Sequence, residues 1–132
     1  MKTGFRCSFA FFDFLMSDEL KLRTKDFAIR IIRLFAALPN STAAQVVGKQ
    51  FLRSGTSVGA QHREAQHAKS DADFVSKIEG SLQELEETSY WLELLAEMQL
   101  FAPEKLRPIQ AETKELTAIF VTIAKKTKSR KL

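Results

Sequence analysis

The chain has 132 residues, of which 45% are hydrophobic and 27% charged. That suffices for one domain with a core and falls short of two. Five Gly and three Pro exclude a collagen-like or linker-rich chain, and a single cysteine, Cys7, excludes an internal disulfide. No run of about 20 apolar residues is present to span a bilayer, so the expected setting is cytoplasmic, with no membrane partner. The net charge of +4 is divided: residues 1–69 and 105–132 each carry a surplus of six positive charges, whereas residues 70–104 carry a surplus of eight negative ones. Such a division gives solvated faces of opposite sign, pairing within the fold, or contacts with other molecules.

Residues 1–15 hold five of the eleven phenylalanines and read as a segment without helical period. Lys2 and Arg6 precede an apolar stretch, but Asp13 interrupts it and no small-residue cleavage site succeeds it, which argues against a signal peptide. Residues 1–19 are therefore expected to form an N-terminal extension, with Met16 a candidate alternative start. From residue 20 the apolar positions take helical spacing. Phe27, Ile31, Leu34 and Leu38 step by four, three and four, with Thr24 as candidate cap, Asp26 in the first turn and Pro39 as stop. Asn40-Ser41-Thr42 supplies the next cap. Ser70-Asp71-Ala72-Asp73 opens a third helix whose stripe includes Phe74, Ile78, Leu85, Leu92 and Leu95. Leu106, Ile109, Thr113, Leu116, Phe120 and Ile123 alternate steps of three and four. Pro103 fits the first turn of this fourth helix, and Pro108 should kink its start. These patterns predict an all-α, antiparallel up-down-up-down four-helix bundle over residues 20–127. Its helices fall at about 24–38, 42–67, 71–99 and 103–126, with a basic tail at 128–132.

The second helix is poor in helix formers over Arg53-Ser54-Gly55-Thr56-Ser57-Val58-Gly59-Ala60. Each interior Gly costs close to 1 kcal/mol relative to Ala. Gly48, Gly55 and Gly59 share a stripe, and with Ser54 they mark close helix packing, within the bundle or at a subunit contact. A phosphate loop is excluded by the missing GxxxxGK[ST] order and the absence of a preceding strand. His62 and His67 are five apart and do not share a face as two metal ligands must, so both are expected at the surface. Glu79, Glu86 and Glu93 repeat at seven, but no Glu-x-x-His partner for a di-metal site occurs on the fourth helix. Glu93, beside Trp91, is expected to be partly buried and paired. Cys7 lacks an activating neighbourhood. The reading is therefore of a protein that is not an enzyme, with no catalytic residue, metal or cofactor.

Binding is the remaining class. Five positive charges crowd residues 124–132, and the run is expected to fray and to contact phosphates through Lys125, Lys126, Lys128, Arg130 and Lys131. Arg30, Arg33, Arg53 and Arg63 would extend that basic surface to RNA or DNA. The competing reading is a solubilising tail that satisfies a helix C-terminus. An assembly or adaptor module is the alternative of another class, with the acidic third helix (Glu84, Glu86, Glu87) as its contact surface.

Several segments resemble the 23S rRNA-intervening-sequence proteins, a family of four-helix bundles. They are Arg23-Thr24-Lys25-Asp26-Phe27-Ala28, Gln50-Phe51-Leu52 running through Arg53 to Ala60, Arg63-Glu64-Ala65, Ser70 to Phe74, and Glu87-Thr88-Ser89-Tyr90-Trp91-Leu92-Glu93-Leu94-Leu95. The resemblance spans roughly residues 20–128, and Gln61-His62 departs from it, standing where Asn and often an aromatic are expected. It implies a bacterial bundle that assembles as a homopentamer. The fold is similar to that of the accessory protein of diversity-generating retroelements. By analogy, the adaptor's partner would be a nucleic-acid enzyme such as a reverse transcriptase.

Overall fold

The computed structural model describes the backbone of residues 2–130 and the side chains of residues 17–129. Four helices succeed one another: α1 (Lys2–Ala36), α2 (Thr42–Ala65), α3 (Asp71–Glu97) and α4 (Pro103–Arg130). Connections of five residues force consecutive helices to lie antiparallel. Each packs on the next, α1 and α4 touch only lightly, and α1 and α3 stand diagonally opposed without close backbone approach among the described residues. The described chain is all-α, an up-down-up-down bundle.

The caps between α1, α2 and α3 act as their residue types dictate. The Ser41 hydroxyl accepts from the Ala44 N–H at 3.3 Å, and the Ser70 hydroxyl from the Asp73 N–H at 3.1 Å. The Asp73 carboxylate reaches back to the Lys69 N–H at 3.2 Å. At the end of α3, Gln99 takes a left-handed φ of 57° and breaks the helix without the glycine such a position favours.

The core lies where the periodicity puts it. Phe27, Ile31, Phe51, Val58, Ile78, Leu85, Leu92, Leu95, Leu106, Leu116 and Phe120 are all buried. Three helix ends differ from expectation by two residues and the fourth by four. Helix α1 stops at Ala36, and a tight turn (Leu38 N–H to Phe35 C=O, 3.1 Å) carries Leu38 into the core ahead of Pro39. Helices α2 and α3 stop at Ala65 and Glu97, whereas α4 runs on to Arg130.

The larger correction concerns the start of α1. Thr24 is no cap: it is fully buried in mid-helix, and its hydroxyl donates to the Leu20 carbonyl at 2.8 Å. The helix begins at Lys2, so the boundary drawn after residue 19 falls inside a continuous element of about 52 Å. The dense phenylalanines hide a usable signal: Phe5, Phe9, Phe12 and Met16 step by four, three and four towards Leu20. Pro108 is accommodated inside α4 as an exposed residue of its second turn.

Candidate nucleic-acid interface

The basic residues expected to bind nucleic acid do not form one face. Arg30 is half-buried on α1 towards α4, near enough to help hold the Glu112 carboxyl in its charged form. Arg33 is exposed farther along α1. Arg53, at the middle of α2, is exposed but paired with Glu87 of α3 at 3.2 Å. Arg63 is exposed near the C-terminus of α2. Lys125, Lys126 and Lys128 are exposed on the last turns of α4, and Lys128 is tied to Glu79 of α3 at 2.7 Å.

The expected frayed tail is an ordered helix up to Arg130. Thr127 anchors it, being 2% exposed with its hydroxyl donating to the Ile123 carbonyl at 2.9 Å. The fourth helix, expected to end at about 126, thus runs on to Arg130. Lys131 and Leu132 lie outside the described residues.

The up-down topology gathers part of this set. The C-termini of α2 and α4 and the N-terminus of α3 lie at one end of the bundle, beside residues 17–21 of α1. Contacts that fix this end are Gln66 to the Ser17 carbonyl (3.3 Å), Lys77 to Glu64 (3.5 Å) and Lys128 to Glu79. Arg63, Lys69, Lys125, Lys126 and Lys128 are exposed there, alongside the carboxylates of Glu64, Asp71 and Glu79. Arg63 and Lys125, 62 positions apart in sequence, thereby come to the same end of the bundle on diagonal helices. No sequence motif signals this juxtaposition.

The small residues of α2 serve contacts inside the protomer. Gly48, Gly55 and Gly59 face α1: an added Cβ would meet Leu38 at 2.5 Å, Ile31 at 2.7 Å and Thr24 at 3.0 Å respectively. Ser54, a quarter-turn away, faces α3, accepting from the Thr88 hydroxyl at 2.8 Å. The Ser81 hydroxyl donates to the Val58 carbonyl at 3.0 Å across the same seam. Gly80 of α3 was missed by sequence reading, although it lets the Gln61 side chain lie against its backbone.

Three polar expectations are overturned. His62 is 2% exposed, set edge-on against Phe120 at 5.7 Å between ring centres, with Nδ1 lacking a hydrogen-bond partner. Burial, helped by the positive charges of Arg63 and Lys21, pushes its pKa down to about 4. His62 thus fills an aromatic slot in the core, which its spacing from His67 could not reveal. Only His67 is exposed.

Glu84 is no surface acid. It is 8% exposed, and burial next to Glu87 raises its pKa, against hydrogen bonding from Ser57 and the charge of Arg53. Glu93 is exposed, as are Glu79 and Glu86. Among the described residues, no three His, Cys, Asp or Glu side chains cluster to hold a metal ion. Cys7 lies in the stretch whose side chains are not described.

A clamp that sequence reading passed over joins α1 to α4. Arg23 donates through Nε and Nη2 to both Glu112 oxygens at 2.7 Å, and through Nη2 to Glu115 at 2.9 Å. The hydrogen bonds from Arg23 hold the half-buried Glu112 carboxyl below the usual carboxylate range, against the cost of burial.

With Arg23, Thr24, Phe27, Ser54, Gly55, Gly59 and Thr88 placed at these contacts, the chain can be compared with known proteins. The sequence model of the 23S rRNA-intervening sequence protein family matches residues 19–122. The chain belongs to that family. A solved member of the S23 ribosomal protein family from Bacteroides thetaiotaomicron, a protein with unknown function, is 39% identical. The match covers 83% of this chain and 97% of that one, with a TM-score of 0.77. No curated protein matches. Many residues that carry the family resemblance here are contacts between helices, so membership accounts for the fold more directly than for any exposed site. Among the described residues, no helix is long and apolar enough to cross a membrane.

Proposed function

We propose that this family member is a non-enzymatic homo-oligomer, a homopentamer by its resemblance, that binds RNA or DNA. The contact surface is the basic end of the bundle formed by Arg63, Lys69, Lys125, Lys126, Lys128 and Arg130. The observation that supports this reading is the continuation of α4 to Arg130, whose helical backbone brings Lys125, Lys126 and Lys128 to the same end of the bundle as Arg63 and Lys69. Cations carried on a helical backbone exchange condensed counterions for phosphate contacts at less entropic cost than those of a frayed tail. Arg53 and Lys128 are partly neutralised by Glu87 and Glu79, so they contribute less than their charge suggests. A ring would present several such ends together and raise weak single contacts into avidity.

The test is fluorescence anisotropy of a structured RNA and a matched DNA duplex at low and near-physiological salt. The comparison variant is Lys125→Gln/Lys126→Gln/Arg130→Gln. Removal of the whole tail is unsuitable, because it would take away the buried Thr127. Wild-type binding should weaken steeply with salt, and the triple variant should reduce the slope of log K against log salt by about 3. An assembled wild type that fails to bind even at low salt would overturn this reading and favour the adaptor alternative.

A further inference from the structure

Helices α1 and α3 occupy opposite corners of the bundle, and each turns an unpartnered stripe outwards. On α1 the stripe runs Leu22, Lys25, Ile29, Ile32 and Ala36, stepping by three, four, three and four; Leu22 is 70% exposed, Ile29 37% and Ile32 47%. Arg33 and Asp26 border it. On α3 the stripe runs Gln83, Glu86, Tyr90, Glu93 and Glu97, stepping by three and four throughout, with every member exposed and Tyr90 52% exposed. Alternating three-and-four spacing is the seam pattern of packed helices, yet neither stripe has a partner helix in its own protomer.

We infer that the α1 stripe of one copy docks on the α3 stripe of the next, so that subunits join head to tail. The inference rests on the homo-oligomeric reading above and identifies the two surfaces and the polarity of the contact. Charge decides the pairing. The α3 stripe cannot meet itself, because three carboxylates would face three others. The α1 stripe offers Lys25 and Arg33 to those carboxylates, while its aliphatic side chains cover the Tyr90 ring and the glutamate stems. The two surfaces face away from each other on one protomer, so the contact is heterologous and closes into a ring if the rotation per step allows.

Two double variants test it: Ile29→Asn/Ile32→Asn, which spoils the α1 stripe, and Glu86→Lys/Glu93→Lys, which spoils the α3 stripe. All four positions are exposed on the protomer, so far-ultraviolet circular dichroism should stay near wild type and certify folding. Native mass spectrometry and sedimentation should show an assembled wild type and two variants that have lost assembly. Mixed in equal amounts, the variants should form a 1:1 heterodimer that grows no further, since each supplies the one intact stripe the other lacks. Variants that assemble like wild type, or a mixture that does not combine, would overturn this pairing while leaving oligomerisation in place. A wild type that stays monomeric at every concentration would overturn the oligomer as well.

Discussion

Helix α2 is held on its two sides by different physics. Towards α1 the contact is made by absence: Gly48, Gly55 and Gly59 leave room that Leu38, Ile31 and Thr24 fill. Towards α3 it is made by hydroxyls, Thr88 to Ser54 and Ser81 to the Val58 carbonyl, with the Glu84 carboxyl buried beside Ser57 and Glu87. The first seam depends on shape and is indifferent to pH. The second exchanges backbone and side-chain hydrogen bonds in a poorly hydrated setting, where each group must be satisfied and each charge is expensive. One helix thus combines a seam that tolerates no added volume with one that tolerates no added charge.

Gly55 is where the two seams should differ most. A Leu there adds four carbons where the first already meets Ile31 at 2.7 Å, so α1 and α2 must part. The expected loss is about 3 kcal/mol, read as a fall in denaturation midpoint, and Ile31→Ala in the same chain should recover part of it. Unchanged melting of Gly55→Leu would refute the account of the glycine stripe.

The acid response comes next in size. His62 has a folded-state pKa of about 4 against an unfolded value near 6.5, so the unfolded chain binds the extra proton between those limits. Its contribution is intact above about pH 6.5 and is lost progressively as pH falls to 4, a loss on the order of 3 kcal/mol. In His62→Met, urea midpoints measured from pH 7 to 4 should decline less than those of wild type. Parallel declines in the two proteins would show that the buried imidazole is not the cause.

The smallest effect has the opposite sign. The folded-state pKa of Glu84 is raised, so its protonated form is favoured in the fold and stability falls as pH rises above the ordinary carboxylate range. Glu84→Gln keeps the shape and removes the charge. It should gain about 0.5–1 kcal/mol at pH 7 and little at pH 4, by the usual cost of burying a charge beside another of like sign. A loss at pH 7 would mean that the charged carboxylate is worth more to Ser57 and Arg53 than its burial costs.

The resemblance was readable because the signature residues are packing residues, and packing constrains residue size and spacing along one helix. Thr88 and Ser54, for example, both sit in recognisable segments, and they turn out to be partners. The candidate interface was less legible. Arg63 and Lys125 lie at one end of the bundle only because two connections reverse the chain between them. Glu84 and Glu86, two residues apart, differ wholly in burial because one faces α2 and the other faces outwards.

Periodicity, caps and short connections in the sequence alone determined an all-α bundle with this core, and the signature segments its family resemblance. Those signals are local, and a helix requires only local information. The tertiary structure decided what no stretch of sequence states: that α1 begins at Lys2 rather than near Thr24, that His62 is an interior ring, and that the glycines face α1. It also decided that Arg23 clamps α1 to α4 through Glu112 and Glu115. Each of these depends on which helix stands opposite, and burial and pairing are properties of neighbours rather than of residues.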